Sequence, residues 1–384
     1  MARIPIANKH DNTATNQHLV PRCYMKEWSY NPKGTSVWLY EKGCDISETD
    51  VEQLNVVCDS KPIKKINSID NYYDIKAGCY FMPQEALNEI FGPTMHLKVV
   101  CNGEQLDTEK KRNNKFGLFD EWIITDEFGT DLTQDEIESL RIYFTEARFV
   151  FIEEEWGRQY ENNWRTYIKN LENDIRQTKA GVGCKDKNRK NISGLITSET
   201  IKEIVKMLII FDIRGFSSDE YLNKTIDEVI DLFPPEIFNM QLDECDRMHP
   251  IETTVRECFR HQFLLHICYD ILKDNQMTGL AKVFWDSYTK KLVPRFCLTD
   301  ISHPFVTSER PAFMNTIQTG EKEHIFVALP TMLISMGKGE NGQFYICNLS
   351  SDEVDEYNKA IICNNEHIIS NTNQLDVEKI FINT

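Results

Sequence analysis

The sequence predicts an α+β protein: a mixed or antiparallel sheet built from N- and C-terminal segments, with a large helical bundle inserted between them. Three observations predict it. Short β-prone runs such as SVWLYEKG at 36–43 occupy the N-terminal part. From 133 to 292 the apolar residues recur mostly at helical spacing. From Val293 the period changes again, and short apolar runs separated by turns follow. The economical partition is a discontinuous β-rich domain, 1–75 with 293–384, and a helical insertion, 76–292.

In chain order, NQHLVPRCYMKEWS at 16–29 reads as a helix face. His18, Arg22 and Lys26 fall at four-residue steps, with Leu19, Tyr24, Met25 and Trp28 as core. SVWLYEKG is a strand, and 44–75 continues in β-prone fragments around polar turns. TQDE at 133–136 is a capping box, in which the Thr133 hydroxyl takes an orphan N–H while Glu136 reaches back. Behind it Ile137, Leu140, Phe144, Phe151, Trp164, Ile168, Leu171 and Ile175 predict an amphipathic helix to about Gln177, broken near Gly157. KAGVGCKDKNRKNISG at 179–194 is poor in apolar residues and is the expected mobile loop. Helices are expected at 198–214, 219–233, 250–274 with Pro250 in the first turn, and 279–292. RFCLTDI, PFVTSERPAFM, HIFVALP, TMLISMGKG and GQFYICN then read as strands, followed by a polar helix at 350–365 and the strand HIIS.

A net charge of −17 over 384 residues argues against non-specific coating of nucleic acid, which needs lysine and arginine to neutralise phosphates, and leaves room for a local basic groove. The twelve cysteines are scattered without a C-x-x-C pair, so neither a zinc site nor a disulfide framework is implied. The opening MARIPIANKHDN lacks the apolar stretch of a signal peptide. The longest aliphatic run, MLIIF at 207–211, is far short of the ~20 residues that span a bilayer. A cytoplasmic protein with reduced thiols and no membrane association is expected, and no motif implies a metal or cofactor. The phosphate loop, nucleophile elbow and H-E-x-x-H patterns are all missing from the sequence. Asp126-Glu127, Glu153-Glu154-Glu155, Lys110-Lys111-Arg112 and Lys185 to Lys190 read as solvent-facing charge.

Two stretches concentrate chemistry. His18, Arg22 and Lys26 bring one titratable imidazole and two fixed cations to one face, suited to an anionic ligand with Arg22 as the bidentate partner. SHPFVTSERPAFMN at 302–315 presents the Thr307 and Ser308 hydroxyls and the Glu309 carboxylate at a strand end, before Pro311 stops ladder pairing. Both stretches equally fit a plain helix and a plain turn.

Their motifs resemble a family. His18-Leu-Val-Pro-Arg-Cys-Tyr-Met-Lys-Glu-Trp is similar to the H-x-V-P-x-x-Y-L-K-x-F opening of a bacterial family catalogued as domain of unknown function 4238. The likeness continues through SVWLYEKG, a helix ending at Arg214, an F-x-T-S-D-x-P motif at Phe305 to Pro311, and a closing helix with Tyr357-Asn358. Met25, Trp28 and Glu309 depart from its Leu, Phe and Asp. The resemblance carries no reaction with it. It implies a pairing, with His18 and Arg22 near Ser308 and Glu309 on adjoining elements.

The leading functional expectation is a defence-related enzyme acting on a phosphate-bearing substrate, nucleotide or nucleic acid. His18 would be the acid–base group, Arg22 the anion clamp, and Ser308 with Glu309 the orienting pair. Tyr24, Lys26, Thr307 and Asn358 would bind ligand. One alternative is a non-catalytic ligand- or protein-binding module using the same cleft. Another rests on Arg256 and His261, whose R-x-x-x-x-H spacing is similar to the motif of HEPN ribonucleases, metal-independent enzymes. There the histidine would move the proton and the arginine would stabilise the phosphorane. A homo-oligomer fits each reading.

Overall fold

The computed structural model describes residues 4–5, 16–42, 56–66, 68–181, 191–196, 198–214, 227–228, 230–232, 234–243, 247, 249, 252–273, 282, 286, 292–316, 321–340 and 342–372. Most of the expected helices at 219–233 and 279–292, and 182–190 of the expected loop, lie outside these residues.

The N-terminal run is not one helix. Asn16–His18 is a short strand, β1, and helix α1 (Arg22–Met25) begins only after Pro21, continuing as a 3₁₀ turn over Lys26–Trp28. A residue before proline is biased to extended geometry, so Val20 cannot carry the helix back to His18. His18 therefore does not share a helix face with Arg22 and Lys26, contrary to the sequence expectation. Strands β2 (Ser36–Lys42), β3 (Val56–Pro62) and β4 (Ser68–Asp70) follow.

The stretch read as wholly helical contains a sheet. After α2 (Gln84–Ile90), β5 (Lys98–Cys101) turns back into β6 (Glu104–Gln105) and pairs on its other edge with β7 (Trp122–Thr125). The turn is Asn102-Gly103, both at positive φ (50° and 78°), the geometry that asparagine and glycine supply to tight hairpins. Between β6 and β7 lies α3 (Glu109–Asn114), capped by the Thr108 side chain.

The long predicted helix is three helices. α4 (Gln134–Glu146) starts at the predicted Thr133–Glu136 capping box. α5 (Phe151–Gln159) runs through Gly157 unbroken, and α6 (Trp164–Gly181) follows a 3₁₀ turn at Glu161–Asn163. The breaks thus fall before Phe151 and after Gln159. Residues 179–181 of the expected loop close α6, and 191–195 form β8 (Asn191–Leu195).

α7 (Glu199–Arg214) agrees with prediction, and every residue from Ile204 to Arg214 is buried, as in a helix covered on all sides. After α8 (Pro235–Phe238), α9 (Val255–Lys273) begins five residues past Pro250. Its start is fixed by Thr254 and Glu257: the Glu257 N–H donates to the Thr254 hydroxyl and the Thr254 N–H donates to the Glu257 carboxylate.

The C-terminal strands fall in the predicted runs, except that PFVTSERPAFM supplies two strands in different sheets: β9 (Leu292–Leu298), β10 (Thr307–Ser308), β11 (Ala312–Thr316), β12 (Lys322–Leu329), β13 (Met332–Lys338) and β14 (Gln343–Asn348). Helix α10 (Ser351–Cys363) and β15 (His367–Ser370) close the described chain. The protein is α+β, with antiparallel and mixed sheets.

Contacts group the chain into two units. One comprises Met1–Gln17, Asp70–Glu155 and Ile226–Tyr269; the other comprises His18–Ile69, Trp156–Thr225 and Asp270–Thr384. The first holds the β6-β5-β7 sheet. Its core is an aromatic cluster of Phe91, Phe116, Phe119, Trp122 and Phe144.

The second unit holds two sheets, ordered β10-β15-β2-β3 and β11-β12-β13-β9-β14-β8. All pairings in them are antiparallel except β9–β14. Gly194 on β8 sits opposite Phe344, where an added Cβ would meet the Phe344 ring at 2.6 Å.

Inside this second unit His324 on β12 is buried, with Nδ1 3.7 Å from the carboxylate of Asp212 on α7. Burial pushes the His324 imidazole down from 6.5 to about 3. The folded chain therefore refuses a proton that the unfolded chain takes up. Stability is fully present above pH 6.5 and declines as pH falls from there towards about 3. Between pH 7 and pH 5 the loss is about 2 kcal/mol. Urea unfolding at the two pH values checks this: His324→Gln should lose correspondingly less than the native protein.

Candidate functional site

The two motif stretches meet in the second unit, through aromatic residues. Tyr24 is fully buried, and its hydroxyl lies 2.6 Å from both the Thr307 hydroxyl and the Val327 carbonyl. A carbonyl can only accept, so the single Tyr24 proton goes to Val327 and the Thr307 hydroxyl donates to Tyr24. Val327 stands where the β12–β13 register shifts, an irregularity in the ladder beside the carbonyl that Tyr24 uses. The Trp28 indole N–H donates to the Phe305 carbonyl at 3.4 Å. The Tyr24 ring packs against Trp28, Trp164, Phe211 and Phe326 at centroid distances of 4.6–5.9 Å.

The remaining residues of the late motif are engaged with backbone. Asn358 accepts from the Val306 N–H and donates to the Pro304 carbonyl. The Ser308 hydroxyl donates to the Arg310 carbonyl and accepts from its N–H. Glu309 takes the Glu366 and His367 N–H groups, each at 2.9 Å, on its two carboxylate oxygens. These bonds lock the approach to β10 against α10 and β15. Tyr24, Thr307 and Asn358, expected to bind ligand, and Ser308, expected to orient it, are buried.

A charged cluster flanks this hub. Arg22 and Lys26, one turn apart, are exposed, and both act on Glu161 in the turn before α6. Arg214 acts on Glu161 more strongly. It is buried at the C-terminus of α7, where a cation suits the helix dipole. Its guanidinium lies 4.5 Å from the Trp156 ring centre and donates to the His18 carbonyl at 2.8 Å. Burial pushes the Glu161 carboxyl above the ordinary range, and Arg214, Arg22 and Lys26 pull against it. Glu161 was missed in the sequence because it lies at a helix break that spacing misplaced.

Arg256 and His261 lie in the first unit. Arg256 pairs with Asp227 and Asp231 at 3.1 and 3.0 Å. His261 is buried, with Nδ1 on the Glu252 carboxylate at 2.5 Å, Nε2 at the Tyr72 carbonyl and its ring stacked on Tyr72. Both ring nitrogens are occupied away from solvent, whereas the ribonuclease reading needs this imidazole open to a substrate. Glu257, one turn before His261 on the same helix, caps α9 through Thr254.

The charge runs also divide. Asp126 takes the Phe128 and Thr130 N–H groups in a turn. Arg112, expected to face solvent, is buried. Among the described residues there is no group of three or more His, Cys, Asp or Glu placed to hold a metal ion, and no helix long and apolar enough to cross a membrane.

The fold and this site define an α+β protein whose motif residues form a buried joint beside an exposed cationic face. The model of the family described as Protein of unknown function (DUF4238) matches residues 16–374, and the chain belongs to that family. No curated protein and no solved structure matches it.

Proposed function

We propose that the chain is a binding module for a phosphate-bearing ligand, a nucleotide or nucleic-acid end, taken at the face formed by Arg22 and Lys26 beside Glu161. The observation that carries this reading is the grouping of two exposed cations with a third, buried one around a single carboxylate. Arg22 offers the planar fork that matches phosphate oxygens, and Lys26 adds a mobile point charge. Binding is favoured over turnover because Ser308 and Glu309, the expected orienting pair, spend their polar side-chain atoms on backbone groups.

Thermal-shift titration with inorganic pyrophosphate and ADP tests the reading. The native protein should show a saturable rise in melting temperature. The double variant Arg22→Ala, Lys26→Ala should need about tenfold more ligand, with an unliganded melting temperature close to native because both side chains are exposed. A native response retained in that variant would sink the proposal, as would no response in the native protein.

A further inference from the structure

Cys297 on β9 and Cys347 on β14 are directly opposed in the register of a parallel strand pair. Opposed residues on neighbouring parallel strands point to the same face. The usual strand spacing of about 4.8 Å lies within the ~4.4–6.8 Å Cα separation that a disulfide spans. Both thiols are unbridged; Cys297 is buried and Cys347 is half-buried, the more accessible residue of the two. The surroundings are polar. Tyr357 on α10 brings its hydroxyl to Cys297 and to Glu323, and the Ser335 hydroxyl donates to the Glu323 carboxylate. Arg295 and Glu353 both act on Cys347.

We propose that Cys297 and Cys347 form a peroxide-reactive dithiol, a modification site that closes to an intramolecular disulfide. The Cys347 thiolate attacks one oxygen of hydrogen peroxide and the O–O bond breaks. A sulfenic acid forms, and the departing hydroxide takes up the proton that Cys347 had released, giving water. The Cys297 sulfur then attacks the Cys347 sulfur, and the S–O bond breaks. The second hydroxide leaves with the Cys297 proton as water. Two thiols lose two electrons and one peroxide becomes two waters.

The electrostatics fit this division of labour. The Cys297 thiol donating to it, with help from Arg295, holds Cys347 below the ordinary cysteine range against the effect of burial. The same contact and burial push Cys297 well up, so of the two sulfurs it is Cys347 that ionises first and meets the peroxide.

The test is made on native protein treated with a small excess of hydrogen peroxide, then unfolded, alkylated with N-ethylmaleimide and mapped by mass spectrometry. A Cys297–Cys347 linked peptide should appear about tenfold faster than oxidation of the exposed Cys363, and dithiothreitol should reverse it. Recovery of both cysteines as alkylated thiols while Cys58 and Cys363 oxidise would overturn the proposal. In Cys297→Ser the reaction should stop at a Cys347 sulfenic acid that dimedone traps; an absent adduct in folded variant would remove Cys347 as the attacking sulfur. Native-protein mapping decides the matter if the variant does not fold, and none of these readouts depends on phosphate binding.

Discussion

Tyr24→Ala is expected to destabilise the protein by about 3–5 kcal/mol, the range for emptying a fully buried aromatic site. The ring is packed on four aromatic neighbours, so its removal leaves a cavity that rigid rings cannot fill. Tyr24→Phe isolates the hydroxyl. It keeps the ring but strands the Val327 carbonyl and the Thr307 hydroxyl, both buried, for about 1–3 kcal/mol. Thr307→Val alone should cost less, because Tyr24 still reaches Val327. Urea unfolding of the three variants checks this order. A Tyr24→Phe variant as stable as the native protein would remove the hydroxyl from the account.

Arg112→Met should be of comparable size, since each of the buried carbonyls it leaves without a donor costs about 1–3 kcal/mol. The buried guanidinium donates Nε to the Leu106 carbonyl, Nη1 to the carbonyl and hydroxyl of Thr94, and Nη2 to the Leu97 carbonyl. It stitches the segment before β5 to the one after β6. Burial brings it down to about 10, so it keeps its charge at neutral pH. Methionine fills the volume and satisfies none of the three carbonyls. Arg112→Lys should recover only part of the loss, since one ammonium cannot span acceptors that a planar fork serves. Urea unfolding reads both variants; full rescue by lysine would show that charge alone matters there.

The fold class was legible because both periods persist long enough to read. Seven-residue strands such as β2, β9 and β13 and the sixteen-residue α7 leave plain patterns. The β5–β6–β7 sheet was not, since strands of two to four residues cannot display alternation. Its one local signal is the Asn102-Gly103 turn. Pro21 likewise carried the information that separates His18 from α1, and helical spacing alone overrode it. Gly157 shows the converse: a glycine inside a helix need not break it.

Less of the site was legible. The sequence marked Tyr24 both as core and as ligand contact, and only the positions of Thr307 and Val327 favour the core. Arg112 in Lys110-Lys111-Arg112 looked solvated because composition does not reveal three waiting carbonyls. Cys297 and Cys347 are distant in sequence and meet only through parallel pairing. Arg22 and Lys26 kept the surface role their spacing suggested, while their counter-charge, Glu161, comes from a different element.

The charge cluster gives the most direct measurement. Calorimetric titration of inorganic pyrophosphate into native protein, Arg22→Ala and Glu161→Gln separates a binding face from a structural ion cluster. Removing Arg22 takes away attraction, whereas neutralising Glu161 takes away a competitor for the same cations. Affinity should therefore fall about tenfold in Arg22→Ala and rise several-fold in Glu161→Gln. Equal weakening in both variants, or no change in either, would contradict an anion site at this face.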